Sequence, residues 1–370
     1  MRAPEKTAAP GLARPVHFTF EDGQAILDVR GLKKEFAVRR RLSEVARGTH
    51  VVVKAVDGVS FQLRRGEILG LVGESGCGKT TTGKLIMKLI HPTGGRICMN
   101  GHDVTELARP QEIDYRRQVQ MVYQDPYASL NPRFKVRDVL EEPLLIHHVG
   151  DSRAERMRLI TEVMEKVKMT PVDDFMDRYP HMLSGGQRQR IATARTLILS
   201  PKIMVADEPV SMIDLSTRAE ILHMMKAVQQ EMELSILYIT HDISTARFFT
   251  DRIAVMYLGR IVEIAPADDL IDAPRHPYTR ALIEAVCEPV PGRVNRLKEL
   301  PITGEIPSAA DIPSGCRFHP RCPFAQRQCW EQAEPELEAV QQPAPGAVQQ
   351  PALREVGPGH FAACRRWKEL

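Results

Sequence analysis

The chain has 370 residues, of which 43% are hydrophobic, so it can bury the core of one large domain and carry a smaller appendage. Its 50 Lys and Arg residues nearly balance its 47 Asp and Glu residues, and the net charge of +3 argues against nucleic acid as the main partner. No stretch reaches the roughly 18 to 20 consecutive apolar residues of a membrane-spanning helix, and the first residues lack the apolar run of a secretory signal, so the chain is expected to stay in the cytoplasm.

The first part of the chain predicts a small antiparallel sheet that leads into a buried parallel strand. Residues 1–24 mix Pro, Ala, Arg and Gly without periodicity and are expected to form a flexible leader. Short runs typical of β-strands follow at 26–30, 51–56, 61–63 and 67–72. The basic segment at 39–48 is expected to be a loop between them.

A helical insert is predicted at about 125–182. Within it, Ser152 and Glu155 have the spacing of a capping box, which marks the start of a helix. Leu159 and Val163 follow at the four-residue spacing of one apolar helix face. This block therefore predicts a helical subdomain inserted into the larger domain.

Short apolar runs return after the insert, at 203–206, 236–239 and 253–257. They alternate with helical segments, a pattern typical of an α/β fold with a buried parallel sheet. After about residue 265 the composition shifts toward Pro and Cys, with a Gln/Pro-rich stretch at 341–351. A separate C-terminal module is therefore expected from residue 266 onward.

A phosphate-binding loop is predicted at residues 73–80, which read Gly-Glu-Ser-Gly-Cys-Gly-Lys-Thr between an apolar strand and a helix. Such a loop turns backbone N–H groups toward phosphate, and the helix N-terminus adds partial positive charge. Lys79 would reach the β- and γ-phosphates, and the Thr80 hydroxyl would ligate Mg²⁺. The predicted nucleotide contacts are Gly73, Ser75, Gly76, Cys77, Gly78, Lys79, Thr80 and Thr81.

Two carboxylates follow the apolar run that ends at residue 206. Asp207 could hold Mg²⁺ through water, and Glu208 could polarise the water that attacks the γ-phosphate. Taken alone, Asp-Glu after a strand is more often a plain strand end, but the phosphate loop favours the catalytic interpretation. His241, after the run at 236–239, would face the γ-phosphate from a neighbouring strand end.

Residues 183–187, Leu-Ser-Gly-Gly-Gln, open a predicted helix and resemble the signature motif of ABC-type ATPases. A Ser hydroxyl and Gly amides at a helix N-terminus can form a second anion site, although a site without Lys does not easily act alone. The resemblance implies that two subunits pack head to tail, so that one subunit's signature closes on the nucleotide held by the other. The residues assigned to this contact are Ser184, Gly185, Gly186 and Gln187.

Three further positions extend the resemblance. Gln124 resembles the family's Gln that senses Mg²⁺ and the attacking water. Asp214 ends a segment that resembles the interface loop, although this chain has Met212 and Ile213 where the family usually has Ala and Leu. Phe36 is the candidate for the aromatic residue that stacks on adenine, and the alternative is an ordinary core Phe.

The resemblance narrows to the oligopeptide and dipeptide importers. The segments that carry it lie at residues 74–79, 124–132 and 276–282, and the segment at 54–60 resembles the second of that subfamily's two ATPase subunits. The implied fold is the α/β fold of P-loop NTPases. An ABC cassette with a RecA-like core, an antiparallel β subdomain and a helical subdomain is expected over 25–265, and a small Cys-rich C-terminal module over 266–370.

The resemblance also implies an activity and an assembly. The activity is hydrolysis of ATP with Mg²⁺ that energises import of di- and oligopeptides, with nickel chelates or oligosaccharides as alternative cargo. The chain would pair with a second, non-identical ATPase subunit beneath two membrane permeases, peripheral to the cytoplasmic face of the inner membrane. A solute-binding protein outside the membrane would deliver the cargo.

A second class of function is a soluble ABC ATPase of DNA repair or translation. Such proteins usually join two cassettes or insert a coiled coil or a zinc-binding arm into the cassette. This chain has one cassette with a short helical insert, which favours the transporter and no nucleic acid partner.

Four cysteines lie in the C-terminal module, at Cys316, Cys322, Cys329 and Cys364. The resemblance implies that they hold a [4Fe–4S] cluster, for which four thiolates are the expected ligands. A zinc ion, with His319 or His360 as further candidate ligands, and unligated reduced thiols or a redox sensor are the alternatives. The other cysteines, Cys77, Cys98 and Cys287, are expected to lie outside this site.

Overall fold

The computed structural model describes residues 25–37, 52–285, 302, 304–331, 354–364 and 366–367, and for residues 354 and 355 it describes the backbone alone. The predicted leader, the basic loop at 39–48, the Gln/Pro-rich stretch at 341–351 and Cys287 lie outside the described residues. Among the described residues, no helix has both the length and the apolar character needed to cross a membrane.

The described strands form a small sheet and a large sheet. They are β1 (Ala25–Ala37), β2 (Val52–Arg64), β3 (Ile68–Val72), β4 (Gly94–Met99), β5 (His102–Asp103), β6 (Val119–Val122), β7 (Ile203–Asp207), β8 (Ser235–Thr240), β9 (Arg252–Tyr257), β10 (Arg260–Pro266), β11 (Arg354–Gly357) and β12 (His360–Ala362). The small sheet is antiparallel, in the order β2-β1-β4-β5, as predicted. The runs at 51–56 and 61–63 belong to one strand, because pairing with β1 continues through Asp57, opposite Lys33.

The large sheet has the order β11-β12-β10-β9-β3-β8-β7-β6. Its strands β9, β3, β8, β7 and β6 run parallel to one another, which confirms the predicted parallel sheet. Every residue of β3, β7 and β8 is buried, as expected for strands covered on both faces. The carboxyl ends of these parallel strands therefore meet at one edge of the sheet.

Helices cover the sheet, and four of them lie within residues 125–182, where the insert is predicted. They are α1 (Lys79–Ile86), α2 (Arg109–Gln118), α3 (Pro126–Ser129), α4 (Val136–Ile146), α5 (Arg153–Lys166), α6 (Asp173–Met176), α7 (Gly185–Leu197), α8 (Leu215–Met232), α9 (Ile243–Phe249), α10 (Ala267–Asp272), α11 (Pro277–Glu284) and α12 (Arg327–Glu331), with 3₁₀ turns at Pro180–Met182 and His319–Arg321. The predicted capping residue Ser152 starts α5, where its hydroxyl accepts the Glu155 N–H at 3.1 Å. Leu140, Ile160 and Ile191 of α4, α5 and α7 are fully buried in a shared core.

The C-terminal segment is bound to the cassette. The hairpin β11–β12 extends the large sheet, because β12 pairs with β10, where Ala362 lies opposite Glu263. A further contact is an aromatic cluster of Tyr257, Tyr278 and Phe318, whose ring centroids lie 4.6 to 5.5 Å apart. The domain boundary near residue 265 stays a prediction, but the segment that follows it packs directly on the sheet that carries the phosphate loop.

Candidate active site

The candidate active site lies at the carboxyl edge of the large sheet. The phosphate loop follows β3, Glu208 follows β7, His241 follows β8, and Gln124 comes two residues after β6. In open α/β sheets, ligands bind at this edge. Four separate strand ends thus bring the residues predicted from distant parts of the sequence to one place.

The phosphate loop is joined to the carboxylate after β7. The Lys79 ammonium is buried and donates to the carbonyl oxygens of Gly73 and Glu74, at 2.6 and 2.9 Å. The Thr80 hydroxyl donates to Asp207 Oδ1 at 3.0 Å. Hydroxyl and carboxylate oxygens are ligands that Mg²⁺ accepts, so the pairing of Thr80 with Asp207 fits the predicted metal role.

Burial raises the pKa of Asp207, against the opposing effect of the Thr80 hydrogen bond, and the nearby Glu208 carboxylate raises it further. Desolvation is the largest cause, because the Asp207 side chain lies at the buried end of β7. A divalent cation beside this group would favour its ionised form. The position therefore suits a carboxylate whose charge is balanced by a metal ion.

Glu208 is the centre of the candidate catalytic group. Its Oε2 accepts a hydrogen bond from Gln124 Nε2 at 2.9 Å, and its Oε1 lies 3.0 Å from His241 Nδ1. Its backbone has a φ of +46°, and its N–H donates to the Ile239 carbonyl at 2.9 Å. A left-handed residue held by its neighbouring strand is a form of local strain found at functional sites. The three predicted catalytic side chains therefore meet at one carboxylate.

Gly78 is the glycine that the loop most clearly requires. Its φ is +109°, and a Cβ placed there would come within 2.2 Å of the Ala55 carbonyl oxygen. Both the backbone angle and the close approach of β2 exclude a side chain. Gly76 also has a positive φ, of +79°, but faces open space.

We expect Gly78→Ala to remove measurable ATP binding, because the loop must move away from Ala55. Gly101→Ala is the matched control, since Gly101 has a φ of +78° but nothing within 4 Å of its Cβ position. In both variants, holding an alanine at a positive φ costs about 1–3 kcal/mol, so this backbone strain is common to the two. Titration of each full-length protein with ATP measures the difference, and equal affinities for the two variants would contradict the steric argument.

The signature residues start helix α7. Ser184 Oγ accepts the Gln187 N–H at 3.2 Å, and Gln187 Oε1 accepts the Ser184 N–H at 3.0 Å, which completes a capping box. Gly186 packs against α8, where a Cβ would meet Thr217 Cγ2 at 2.5 Å, whereas Gly185 faces open space. No hydrogen bond among the described residues joins this segment to the phosphate loop of the same chain. Within the signature, Ser184 is exposed and Gly185 has open space beside it, so these two residues are accessible to a partner.

Asp214 caps the next helix. Its Oδ1 accepts hydrogen bonds from the Thr217 N–H at 3.0 Å and the Ser216 hydroxyl at 2.7 Å. The Thr217 N–H, then the neighbouring hydroxyls, lower the pKa of Asp214 to about 2. Asp214 therefore stays ionised and fixes the start of α8, and its predicted contact with nucleotide stays a prediction.

Phe36 lies near the end of β1, and 41% of its surface is exposed. The Lys34 ammonium lies 5.2 Å from its ring centroid. The alternative of an ordinary core Phe does not fit this exposure. Adenine stacking on the exposed ring stays a prediction.

The four C-terminal cysteines line one cavity, together with His276, Phe318 and His319. Burial raises the pKa of Cys322, and it raises the pKa of Cys364 to about 11. No group of three or more His, Cys, Asp or Glu side chains in the described part of the chain is placed so that it could hold a metal ion. The structure therefore gathers the predicted ligands around one space without arranging them as a metal site.

Cys77 lies in the phosphate loop and is buried, and burial raises the pKa of its thiol. Cys98 lies in β4, so neither belongs to the C-terminal cavity, as predicted.

Sequence reasoning missed the contacts that Glu74 makes with Arg321 and Tyr278. Arg321 donates to both carboxylate oxygens of Glu74, and the Tyr278 hydroxyl accepts the Glu74 N–H. Arg321 and Glu74 are 247 residues apart, and no motif spacing relates them.

Comparison with known proteins is consistent with this geometry. Residues 56–211 match the family described as ABC transporter, and residues 262–329 match the oligopeptide/dipeptide transporter C-terminal region. The chain is 42% identical to the oligopeptide transport ATP-binding protein AppF of Bacillus subtilis, over 94% of this chain and 98% of AppF. It is 44% identical to the dipeptide transport ATP-binding protein DppF of Haemophilus influenzae, over 86% of this chain and 94% of DppF.

A solved structure has the same core fold. The dimeric ATP-binding cassette MJ0796, bound to ADP and Pi, matches with a TM-score of 0.57 and 26% identity, over 65% of this chain and 98% of that one. Its match covers the share of the chain expected for the cassette without the C-terminal region. The chain therefore belongs to the ABC transporter family of ATP-binding proteins, in the group with the oligopeptide/dipeptide transporter C-terminal region.

Proposed function

We propose that this chain is the ATP-hydrolysing subunit of an ABC importer for di- and oligopeptides. The observation that carries the catalytic part is the Glu208 carboxylate, held between Gln124 and His241 beside the phosphate loop. The peptide cargo rests on the match of the C-terminal region and on the named functions of the relatives. Nickel chelates or oligosaccharides remain the alternative cargo.

The arrangement supports a role for each group in this proposal. The loop N–H groups and Lys79 bind the β- and γ-phosphates of ATP, and Glu208 polarises the attacking water. Gln124 and His241 orient the Glu208 carboxylate, and His241 also faces the γ-phosphate. Thr80 and Asp207 would hold Mg²⁺, whose charge neutralises the phosphates when it is bound.

The site is completed by a second ATPase subunit. The exposed Ser184 and the half-buried Gly185, which has open space beside it, lie at the N-terminus of α7, where they suit the γ-phosphate of a nucleotide held by a partner. Next to Asp214, the side chains of Met212 and Leu215 are 60% and 78% exposed, as expected for a surface that a partner covers. A non-identical partner follows from the resemblance to the second ATPase subunit of peptide importers.

The helical subdomain would dock on the membrane permeases. Its exposed apolar side chains include Tyr127, Leu145 and Ile146, which are 61%, 52% and 62% exposed. Tyr127 belongs to the segment after Gln124, where the family contacts its permeases, and Leu145 and Ile146 end helix α4. This placement makes the chain peripheral to the cytoplasmic face of the membrane, with cargo delivered from the other side by a solute-binding protein.

The test of this function is co-expression with candidate permease and ATPase subunits, followed by ATPase assays in membrane vesicles. ATP hydrolysis that a peptide-loaded solute-binding protein stimulates would support the peptide importer. Stimulation by oligosaccharide or nickel chelate alone would assign the other cargo. A chain that hydrolyses ATP without permeases, fails to bind them and responds to DNA or ribosomes would contradict the transporter.

The four cysteines of the C-terminal cavity are proposed to hold a [4Fe–4S] cluster. Supporting it are the four thiols around one cavity, the ligand number that such a cluster takes. Burial raises the pKa of Cys322 and Cys364 and so favours their protonated thiols, whereas bound iron would favour their thiolates. The cluster would stabilise a region whose described residues after 302 form only short elements, namely a 3₁₀ turn, α12, β11 and β12.

We expect anaerobically purified protein to contain about four irons per chain and to absorb broadly in the visible range, as iron–thiolate charge transfer does. Cys322→Ser should lose the iron and lower the folding yield more than the ATPase rate per folded molecule. Cys98→Ser is the matched control and should keep the iron and the wild-type folding yield. Zinc at one ion per chain without colour would assign a zinc site, and metal-free protein would leave reduced thiols.

A further inference from the structure

The C-terminal segment holds the phosphate loop at its second residue. Arg321 Nη1 and Nη2 donate to the two carboxylate oxygens of Glu74, at 2.8 and 3.0 Å. Such a two-pronged Arg–carboxylate pair fixes both distance and orientation, unlike a pair that involves Lys. The contact therefore fixes the Glu74 side chain in one place.

Arg321 is itself fixed. Only 8% of its side chain is exposed, and its guanidinium lies 5.8 Å from the Tyr257 ring centroid and 6.0 Å from that of Phe318. Tyr257 ends β9, the strand next to β3, which carries the loop. The Glu74 side chain is 24% exposed, so the pair is partly shielded from solvent, and its charge interaction is screened less than that of a fully exposed pair.

Glu74 transmits this constraint to the catalytic ammonium. Its N–H donates to the Tyr278 hydroxyl at 2.9 Å, and its carbonyl oxygen accepts from Lys79 Nζ at 2.9 Å. A shift of Glu74 therefore moves a group that holds Lys79. Glu74 thus contacts both Arg321 and Lys79, the side chain that binds the phosphates.

The same C-terminal segment reaches the other side of the loop. Arg317 is 5% exposed, pairs with Asp57, and donates to the Leu258 carbonyl oxygen. The next residue, Gly259, donates its N–H to the Cys77 carbonyl oxygen at 2.8 Å. Two arginines four residues apart thus support the loop. Arg321 binds Glu74 directly. Arg317 acts through the two residues that connect β9 to β10, of which Gly259 contacts Cys77.

We propose that Arg321 is a positioning residue for ATP binding and hydrolysis, acting through Glu74 on the phosphate loop. The role deepens the proposed ATPase function and rests on it. It makes the C-terminal region part of the nucleotide-binding machinery. A loop displaced by a fraction of an ångström loses phosphate contacts in the bound and the transition state alike, so the main effect falls on ATP affinity.

The test compares ATP dissociation constants and steady-state kinetics of the full-length chain. Arg321→Gln is expected to raise the Kd and the KM for ATP about 10-fold and to lower kcat less than about 3-fold. Arg321→Lys keeps the charge without the two-pronged geometry and should restore part of the affinity. Arg327→Gln is the control, because Arg327 lies in the same region in an exposed pair with Glu331.

A mutant cycle shows whether Arg321 acts through Glu74. Glu74→Gln should raise the Kd by a similar factor, and the double variant should be no worse than either single variant. Additive losses, or an unchanged Kd with a lower folding yield alone, would reduce Arg321 to a structural role. Because Kd is measured by binding, wild-type protein that binds ATP without hydrolysing it would contradict the proposed function while still testing this inference.

Discussion

Glu208→Gln is expected to lower ATP turnover by roughly 10²- to 10³-fold while ATP binding is retained. The amide keeps the size of the carboxylate and can still lie between Gln124 and His241. It cannot polarise water as a carboxylate does, and no other acidic side chain bonds to both of these residues in the described part of the chain. Hydrolysis measured at saturating ATP, beside the ATP dissociation constant, separates the two effects.

The same variant should trap the nucleotide-bound pair of ATPase subunits. Since opening follows hydrolysis, size-exclusion chromatography with Mg²⁺ and ATP should show a longer-lived dimer than the wild type. Glu231→Gln is the control, because Glu231 lies in an exposed pair with Lys166 at the end of α8. Turnover near the wild-type value would remove Glu208 from the catalytic role.

The catalytic centre could be predicted from the sequence because each part is a short motif at the end of a strand. The phosphate loop and the Asp207-Glu208 pair follow apolar runs, and the runs predicted a parallel sheet. Parallel strands place their carboxyl ends on one edge, which brought Thr80 to Asp207. His241 was likewise predicted from its place after an apolar run, whereas Gln124 needed the family resemblance, since it has no local pattern that distinguishes it from an ordinary polar residue.

The support of the phosphate loop could not be predicted in this way. Arg321 and Glu74 are joined by a fold in which the C-terminal segment packs on β9, and no periodicity carries that information. The same limit applies to β12, whose pairing with β10 crosses about a quarter of the chain. Contacts between distant segments depend on the tertiary arrangement, and single-sequence patterns report only local structure.

One signal in the sequence did mark the C-terminal attachment. Glu263 interrupts the apolar residues that follow Arg260 in β10, and it is fully buried. Buried carboxylates are rare unless they are paired, so a charged residue at such a position indicates a structural or functional network. The structure supplies its partners: the N–H groups of Arg275 and His276, and His360 Nε2, at 2.7, 3.0 and 2.7 Å.

These partners lie at the starts of two elements that hold the C-terminal region. Arg275 and His276 lead into α11, whose Tyr278 contacts Glu74, and His360 begins β12. Burial lowers the pKa of His276 to about 4, so its ring is neutral at physiological pH. Glu263 thus ties the start of α11 and the final hairpin to the large sheet.

We therefore expect Glu263→Leu to lower the free energy of unfolding by about 3–5 kcal/mol, because an apolar side chain of similar size leaves three donors without this acceptor, two of them in buried hydrogen bonds. Glu263→Gln keeps one acceptor oxygen and should cost less. Glu284→Gln is the control, since Glu284 lies at the end of α11 in a surface pair with Arg280, where such pairs contribute about 0–1 kcal/mol. Urea-induced unfolding of the full-length variants measures the difference. Because α11 carries Tyr278, the Leu variant should also weaken ATP binding, whereas a loss of stability with unchanged affinity would separate the C-terminal attachment from the phosphate loop.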